Sequence, residues 1–170
     1  MPDPTIQPYI QSLLDALGPR DPLAVLAATP EALRQAVAGV GPAALDRPEA
    51  PGKWSLRQVV QHLADSELVG GFRFRMILTQ DRPPIPAYDQ DLWIGRLHQH
   101  DTDLDATLAE FTTLRRANHR LLANTTSAER ARVGVHSERG EESLAFLIRM
   151  YAGHDLVHLK QMERIRRMGG

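Results

Sequence analysis

From Ser55 to about Thr79, Leu56, Val59, Val60, Leu63, Gly70, Phe74 and Ile77 recur at helical spacing, which demands one long helix with a single buried face. Ser55 stands where an N-cap belongs. Two further runs share the period. Leu104, Leu108, Phe111, Leu114 and Leu121 form a stripe ending near Asn124, with Asn118 as its one polar member. Leu144, Leu147, Ile148, Tyr151, Met162 and Ile165 form another, capped by Ser143 and continuing through Arg167. Nearer the start, Ile6, Ile10, Leu13, Leu14 and Leu17 define a short amphipathic helix that stops at Gly18-Pro19. Leu23, Leu26, Leu33, Val37 and Val40 carry a stripe onward from Asp21-Pro22, and it is expected to break or kink where Thr29 can cap and Pro30 can open a new turn.

An apolar helix face must be buried against another element, so the expected class is all-α: a four-helix bundle with short accessory N-terminal helices. The chain reads as one domain over 1–170, with 1–20 an N-terminal extension helix and 21–170 the bundle. Between the second and third bundle helices, from Gln80 to His100, the periodicity is lost in a long loop, where Tyr88, Leu92 and Trp93 argue for order. Ser127 to Glu142 reads as a connection.

A chain of 170 residues buries roughly 70% of its unfolded surface, so it needs no metal merely to hold a core. The absence of cysteine excludes disulfides, thiolate metal knuckles and a thiol nucleophile of its own. With 20 Lys+Arg against 21 Asp+Glu, no electrostatic field favours nucleic acid. No signal peptide or membrane anchor is recognised, and a cytoplasmic location is expected.

Seven histidines are the odd element of the composition. His154 and His158 are one helical turn apart, and the wheel places them with Leu147, Tyr151, Met162 and Ile165 inside an arc of about 80°. Two imidazoles in a core stripe need partners, because an unsatisfied buried polar group costs about 1–3 kcal/mol. Either each ring bonds to a neighbouring helix, or one cation satisfies both. His62, at the edge of the apolar arc of its helix, is the candidate third ligand. His98 and His100 read as surface residues of a polar loop, His119 as solvated, and His136 has no firm role. His154-Asp155-Leu156-Val157-His158 lacks the glutamate and downstream ligand of a zincin. The Glu-x-x-His pairs of di-iron bundles, Gly-x-Ser-x-Gly and a nucleotide loop are also missing.

The stretch from Gly52-Lys53-Trp54-Ser55 through His62-Leu63-Ala64-Asp65-Ser66-Glu67 resembles the DinB-like superfamily of metal-binding four-helix bundles. The YfiT-type metal-dependent hydrolases and bacillithiol transferases are the most similar members. The likeness continues through Arg73, Arg75, the Pro84-Ile85 turn, Tyr88 to Trp93, Tyr151-Ala152-Gly153-His154 and His158-Leu159-Lys160-Gln161, and covers nearly everything after about residue 20. It implies that His62, His154 and His158 bind one divalent cation, zinc or nickel, with positions left for water or substrate. Such an ion would lower the pKa of water or a bound thiol. The resemblance implies either thiol S-transfer with a low-molecular-weight thiol such as bacillithiol or hydrolysis of a small molecule, in a protein that is commonly a homodimer. The alternative is a non-catalytic metal- or ligand-binding, stress-related bundle.

Asp65, one turn after His62, Asp155, beside His154, and Gln161, three residues past His158, are candidates to orient the ligands, with solvent exposure the alternative for Asp65. Glu67 falls inside the apolar arc, where a lone carboxylate is expensive, and where YfiT-type members often have histidine. It is expected either to pair with Arg73 or an arginine of another helix, or to act as a general base. Glu67 and Asp155 are thus the candidates for a catalytic role, while Tyr88, Asp89, Asp91 and Trp93 either cover the metal mouth and bind substrate or, with Leu92 and Trp93 as anchors, belong to a crossover connection. Arg164, Arg166 and Arg167 read as a solvated helix face.

Overall fold

The computed structural model describes residues 6–98 and 103–168. In chain order its elements are α1 (Ile6–Leu17), α2 (Pro22–Val37), α3 (Pro42–Leu45), α4 (Leu56–Thr79), β1 (Pro84–Ile85), α5 (Gln90–Leu97), α6 (Leu104–Ala123), α7 (Ser127–Arg130), β2 (Val133–His136), β3 (Gly140–Ser143) and α8 (Leu144–Met168). The helical bundle is the one the periodicity predicts. Ser55 accepts from the Gln58 N–H while the Gln58 side chain accepts from Ser55, a capping box that fixes the start of α4. Ser143 accepts from the Phe146 N–H at the start of α8.

Around the bundle α2 packs on α6, α6 on α4, α4 on α8, and α8 back on α2. The core between them is two apolar clusters. One holds Leu26, Phe74, Ile77, Leu122, Leu147 and Ala152. The other holds Leu33, Val59, Leu63, Phe111, Met162 and Ile165. Each bundle helix passes from one cluster to the other, α2 and α8 in one direction and α4 and α6 in the opposite one. Because α4 and α6 run the same way, the chain between them must return along the length of the bundle. The segment expected as one long loop is therefore partly built: β1 and α5 lie in it, Ile94 is buried, and Asp89 caps α5 by accepting from the Leu92 N–H. His100 lies outside the described residues.

The other correction concerns the small sheet, of order β1-β2-β3. The Pro84-Ile85 turn is a strand that pairs parallel to β2, and the Ser127 to Glu142 connection contains α7 and an antiparallel hairpin. The hairpin joins α6 to α8 at the end where both meet the first cluster. Gly134 permits this seating, since a Cβ there would lie 2.3 Å from Ile85 Cδ1. α1 lies along α8 so closely that a Cβ on Gly153 would meet the Leu13 carbonyl oxygen at 2.1 Å.

Of the break or kink expected at Thr29-Pro30, the break does not occur. α2 continues through Pro30, and the one Thr29 hydroxyl proton is shared between the Val25 carbonyl and Asp155 Oδ2 instead of Thr29 capping a new helix. A proline inside a helix leaves the carbonyl four residues earlier without its N–H. That carbonyl, Leu26, accepts from Arg115 Nη1 at 3.0 Å. No helix among the described residues is long and apolar enough to cross a membrane.

Candidate metal centre

α4 and α8 bring His62, His154 and His158 together. One ligand nitrogen from each ring lies within 4.8 Å of the others. His62 Nε2 and His154 Nε2 face each other at 2.9 Å. At this separation one ion could reach both nitrogens at about 2.0–2.1 Å. The donor set also fits: neutral imidazole suits zinc and nickel, and three protein ligands leave open positions. Burial lowers the pKa of all three rings, His62 and His154 furthest, and for these two the mutual repulsion of the rings adds to it. On His158 the bond to Gln161 and the charge of Asp155 oppose the burial. The rings are therefore neutral at pH 7, each with a lone pair to give.

His158 is held from behind. Its Nδ1 lies 2.9 Å from Gln161 Oε1, and donation there leaves the Nε2 lone pair available to a cation. Gln161 Nε2 in turn donates to Glu49 Oε2, and Arg164 Nε donates to Glu49 Oε1 at 2.8 Å. Arg164 is thus exposed, as expected of a helix face, and still engaged. Glu49 is kept ionised by Arg164. Trp54 covers the centre, with its ring 4.6 Å from that of His62 and stacked on His158 at 6.0 Å. Nothing in the sequence places Glu49 at this centre, and Trp54 is marked only as part of the stretch that resembles the family, since both precede α4 in or beside a proline-rich stretch with no periodicity.

The two carboxylates proposed for a catalytic role are committed elsewhere. Glu67 pairs with Arg115 of another helix, with Nη2–Oε2 at 2.8 Å, and not with Arg73. It also accepts from Asn118 Nδ2 at 2.9 Å. Asp155, though next to His154 in sequence, turns to Arg115 and accepts from Thr29 Oγ1 at 2.7 Å. Glu67, Arg115 and Asp155 are all buried, so these bonds replace water rather than compete with it. Burial alone would lower the Arg115 pKa, but Asp155 and Glu67 outweigh it and the guanidinium is held charged. Arg115 thereby ties together α2, α4, α6 and α8.

Asp65 is not behind His62. It bonds to His98 Nε2 at 2.8 Å, and burial raises its pKa against the opposing pull of that histidine. His98 is thus turned inward, contrary to the surface position expected for it, and His119 is half-buried rather than solvated. Asp89 serves as the α5 cap, and Asp91 is exposed in the first turn of that helix. Tyr88 and Trp93 pack ring to ring at 4.7 Å. Tyr88 does reach the site: with Ser66, Arg73, Tyr151, Glu138, Arg139 and His154 it lines a cavity of about 210 Å³. His154 Nδ1 is buried and has no hydrogen-bond partner. Burial raises the pKa of both tyrosines, so their hydroxyls keep their protons at neutral pH.

A model of a family described as the DinB superfamily matches residues 26–162. A Bacillus licheniformis protein provisionally named a metal-dependent hydrolase is 32% identical over 142 residues, which cover 83% of this chain and 81% of that one. A Bacillus mycoides protein with the same provisional naming is 30% identical over 137 residues, 81% of this chain and 79% of that one. Among solved structures, YfiT from Bacillus subtilis superposes with a TM-score of 0.79 at 31% identity, covering 87% of this chain and 86% of its own. It is described as a probable metal-dependent hydrolase with an unusual four-helix bundle topology. The parallel course of α4 and α6 is such a departure from an up-down-up-down bundle.

Proposed function

The chain belongs to the DinB superfamily, and from that premise we propose that it is a metal-dependent enzyme acting on a small molecule, with His62, His154 and His158 as ligands of one zinc or nickel ion. The observation that carries this reading is the convergence of three buried, neutral imidazoles beside a cavity that His154 itself lines. A divalent cation held there supplies Lewis acidity, which lowers the pKa of a nucleophile toward neutrality.

The chain's own residues do the rest. Gln161 and Glu49 hold the His158 tautomer. Trp54 shields the rings from solvent, which strengthens electrostatic interactions at the site. Tyr88 and Tyr151 offer hydroxyl donors to whatever occupies the cavity. Neither Glu67 nor Asp155 is free to take a proton from water, since Arg115 holds both. That favours a nucleophile needing little help to ionise, and we assign a low-molecular-weight thiol of the bacillithiol type. Without a cysteine in the chain the thiol must be a cosubstrate. Its sulfur forms the new bond to the electrophilic carbon, the leaving group departs with its electron pair, and the thiol proton passes to solvent. Hydrolysis by water is the reading favoured by the names of the relatives.

The proposed setting is the cytoplasm, where thiols stay reduced. The proposed assembly is a homodimer, for which the exposed Leu68 and Phe72, one turn apart on α4, offer an apolar contact.

Metal content of the purified protein, compared with a His154→Ala/His158→Ala variant, tests the centre. One ion per chain in the parent and none in the variant is expected. An equal load in both would overturn the site. Consumption of a model electrophile only when a thiol is added, and its loss in His158→Ala, supports S-transfer. Ester or amide cleavage without thiol supports hydrolysis.

A further inference from the structure

Arg73 is a buried arginine with no counter-charge. It is only 5% exposed, and among the described residues no carboxylate lies within ion-pair distance of it. The groups it touches are neutral. Nη2 donates to the Pro86 carbonyl at 2.7 Å, Nη1 donates to the Tyr151 hydroxyl at 3.4 Å, and the guanidinium lies over the Tyr88 ring at 5.9 Å. Nε is buried and has no partner at all. A guanidinium carries five N–H donors, so most of its capacity stays open. Burying a charge in this state is costly unless something pairs with it.

The surroundings deepen the imbalance. Arg139, on the same cavity wall, is matched by Glu142. Glu138, also on the wall, is exposed. Close by in β2, His136 Nδ1 accepts from the Glu138 N–H, which puts the ring proton on Nε2, and that atom too is buried without a partner. Burial first, and then the charges of Arg139 and Arg73, push the His136 pKa down to about 4, so it adds no charge of its own. The cavity therefore presents a buried guanidinium without an ion-pair partner, the protonated hydroxyls of Tyr88 and Tyr151, and, toward solvent, the exposed Glu138 side chain. At about 210 Å³ it is smaller than the roughly 300–1,000 Å³ typical of drug-sized ligands.

We propose that Arg73 is an anion-binding residue that selects small substrates or cosubstrates carrying a carboxylate, gripping that group by its guanidinium fork while the reacting end of the molecule lies toward His154. The planar fork matches a carboxylate bidentately, which a point charge does not. The orientation rests on the metal-centre reading given above, whereas the anion subsite stands on Arg73 and the cavity alone. Tyr151 lies between the two ends, bonded to Arg73 through its hydroxyl and with its ring 6.5 Å from that of His154.

Calorimetric titration of the zinc-loaded full-length protein with 3-mercaptopropionate and with its neutral amide, 3-mercaptopropionamide, tests the proposal. The two probes share a thiol and differ in charge. The carboxylate is expected to bind at least tenfold more tightly to the parent protein. That preference should fall to within twofold in Arg73→Met and survive in part in Arg73→Lys. Equal affinities in the parent, binding of neither probe, or an undiminished preference in a folded Arg73→Met variant would each overturn it. The parent comparison needs no variant, so a misfolded Arg73→Met does not remove the test. Metal content read on the same samples separates the two readings. If the parent binds no zinc, the metal centre fails, and the carboxylate preference is judged on the metal-free chain by the same tenfold criterion.

Discussion

Two polar regions lie within this bundle, and they are finished differently. Around Arg115 the polar groups answer one another: Glu67 and Asp155 take its charge, Thr29 and Asn118 complete the carboxylates, and the carbonyl freed by Pro30 takes a further N–H. Around His154 and Arg73 the bonding stops short, with two imidazole nitrogens, His154 Nδ1 and His136 Nε2, and one guanidinium N–H left without partners. A closed polar network uses its bonds to hold helices in register. An open one keeps them for something that is not part of the chain. The two lie within the same helices, so their difference is not one of burial but of satisfaction.

The closed region should break hardest. Arg115→Met leaves Glu67 and Asp155 as buried carboxylates facing each other without a cation, and frees the Leu26 carbonyl as well. Removing one partner of such a buried pair costs about 3–5 kcal/mol, and the loss should be read as a lowered urea midpoint. Replacing Arg115, Glu67 and Asp155 together by apolar residues should restore much of that stability, since the penalty comes from the stranded charges. A triple variant as unstable as Arg115→Met would show that the network contributes attraction of its own.

Acid is the next probe, and it acts on the open region. The folded state holds His62, His154 and His158 below the ordinary histidine range and His136 at about 4, all chiefly by burial. The unfolded chain takes up these protons near pH 6.5. Stability of the metal-free protein is therefore full above about pH 6.5. It falls as pH drops toward the folded values, by up to about 1.4 kcal/mol per pH unit for each such histidine. Urea midpoints across this range measure the slope, and His136→Gln should make it shallower. A midpoint that holds constant from about pH 7 to about pH 5 would contradict the buried, neutral state of these rings.

What the sequence disclosed follows from the range over which each signal acts. The helices and the Ser55 cap are legible because period and capping are local. His154 and His158 are legible as a pair because their i, i+4 spacing sets two side chains on one face, and Gln161 falls in the next turn. His62, at the edge of its apolar arc, is tied to them only through the family resemblance. Arg115 was not legible: a charged residue in an otherwise apolar stripe reads as a gap, and its partners lie 40 and 48 residues away in sequence. The same distance explains why the continuity of α2 through Pro30 is not legible, since nothing local says that Arg115 will bond the carbonyl that the proline leaves open. The shared direction of α4 and α6 is likewise invisible to periodicity, and with it the need for the crossover that contains α5. The short strands carry too few residues to show alternation, and Glu49 is joined to Gln161 across 112 positions.

Between the two regions lies a finer test. Gln161→Leu removes the acceptor that fixes His158 and disconnects Glu49, while touching no atom of the closed network. Loss of such an outer partner typically costs about 10–100-fold in metal affinity. Competition with a chromogenic chelator should show a weakening of this size with the urea midpoint nearly unchanged. If stability falls as far as it does in Arg115→Met, the chain of bonds through Gln161 belongs with the structural network instead.

The smallest expected effect is the most discriminating, because it sets one buried arginine against the other. Arg73→Met removes a guanidinium that has only a carbonyl, a long contact to a tyrosine hydroxyl and an aromatic face for company. The variant forfeits those contacts, each worth about 0.5–1.5 kcal/mol net. It also relieves the cost of a buried, unpaired charge, a term of similar size and opposite sign. Stability without ligand should therefore change by less than about 1 kcal/mol in either direction, against the large loss in Arg115→Met. Equal losses in the two variants would mean that the Arg73 charge is compensated within the fold. The distinction between a closed and an open region would then fail at the residue where it is drawn most sharply.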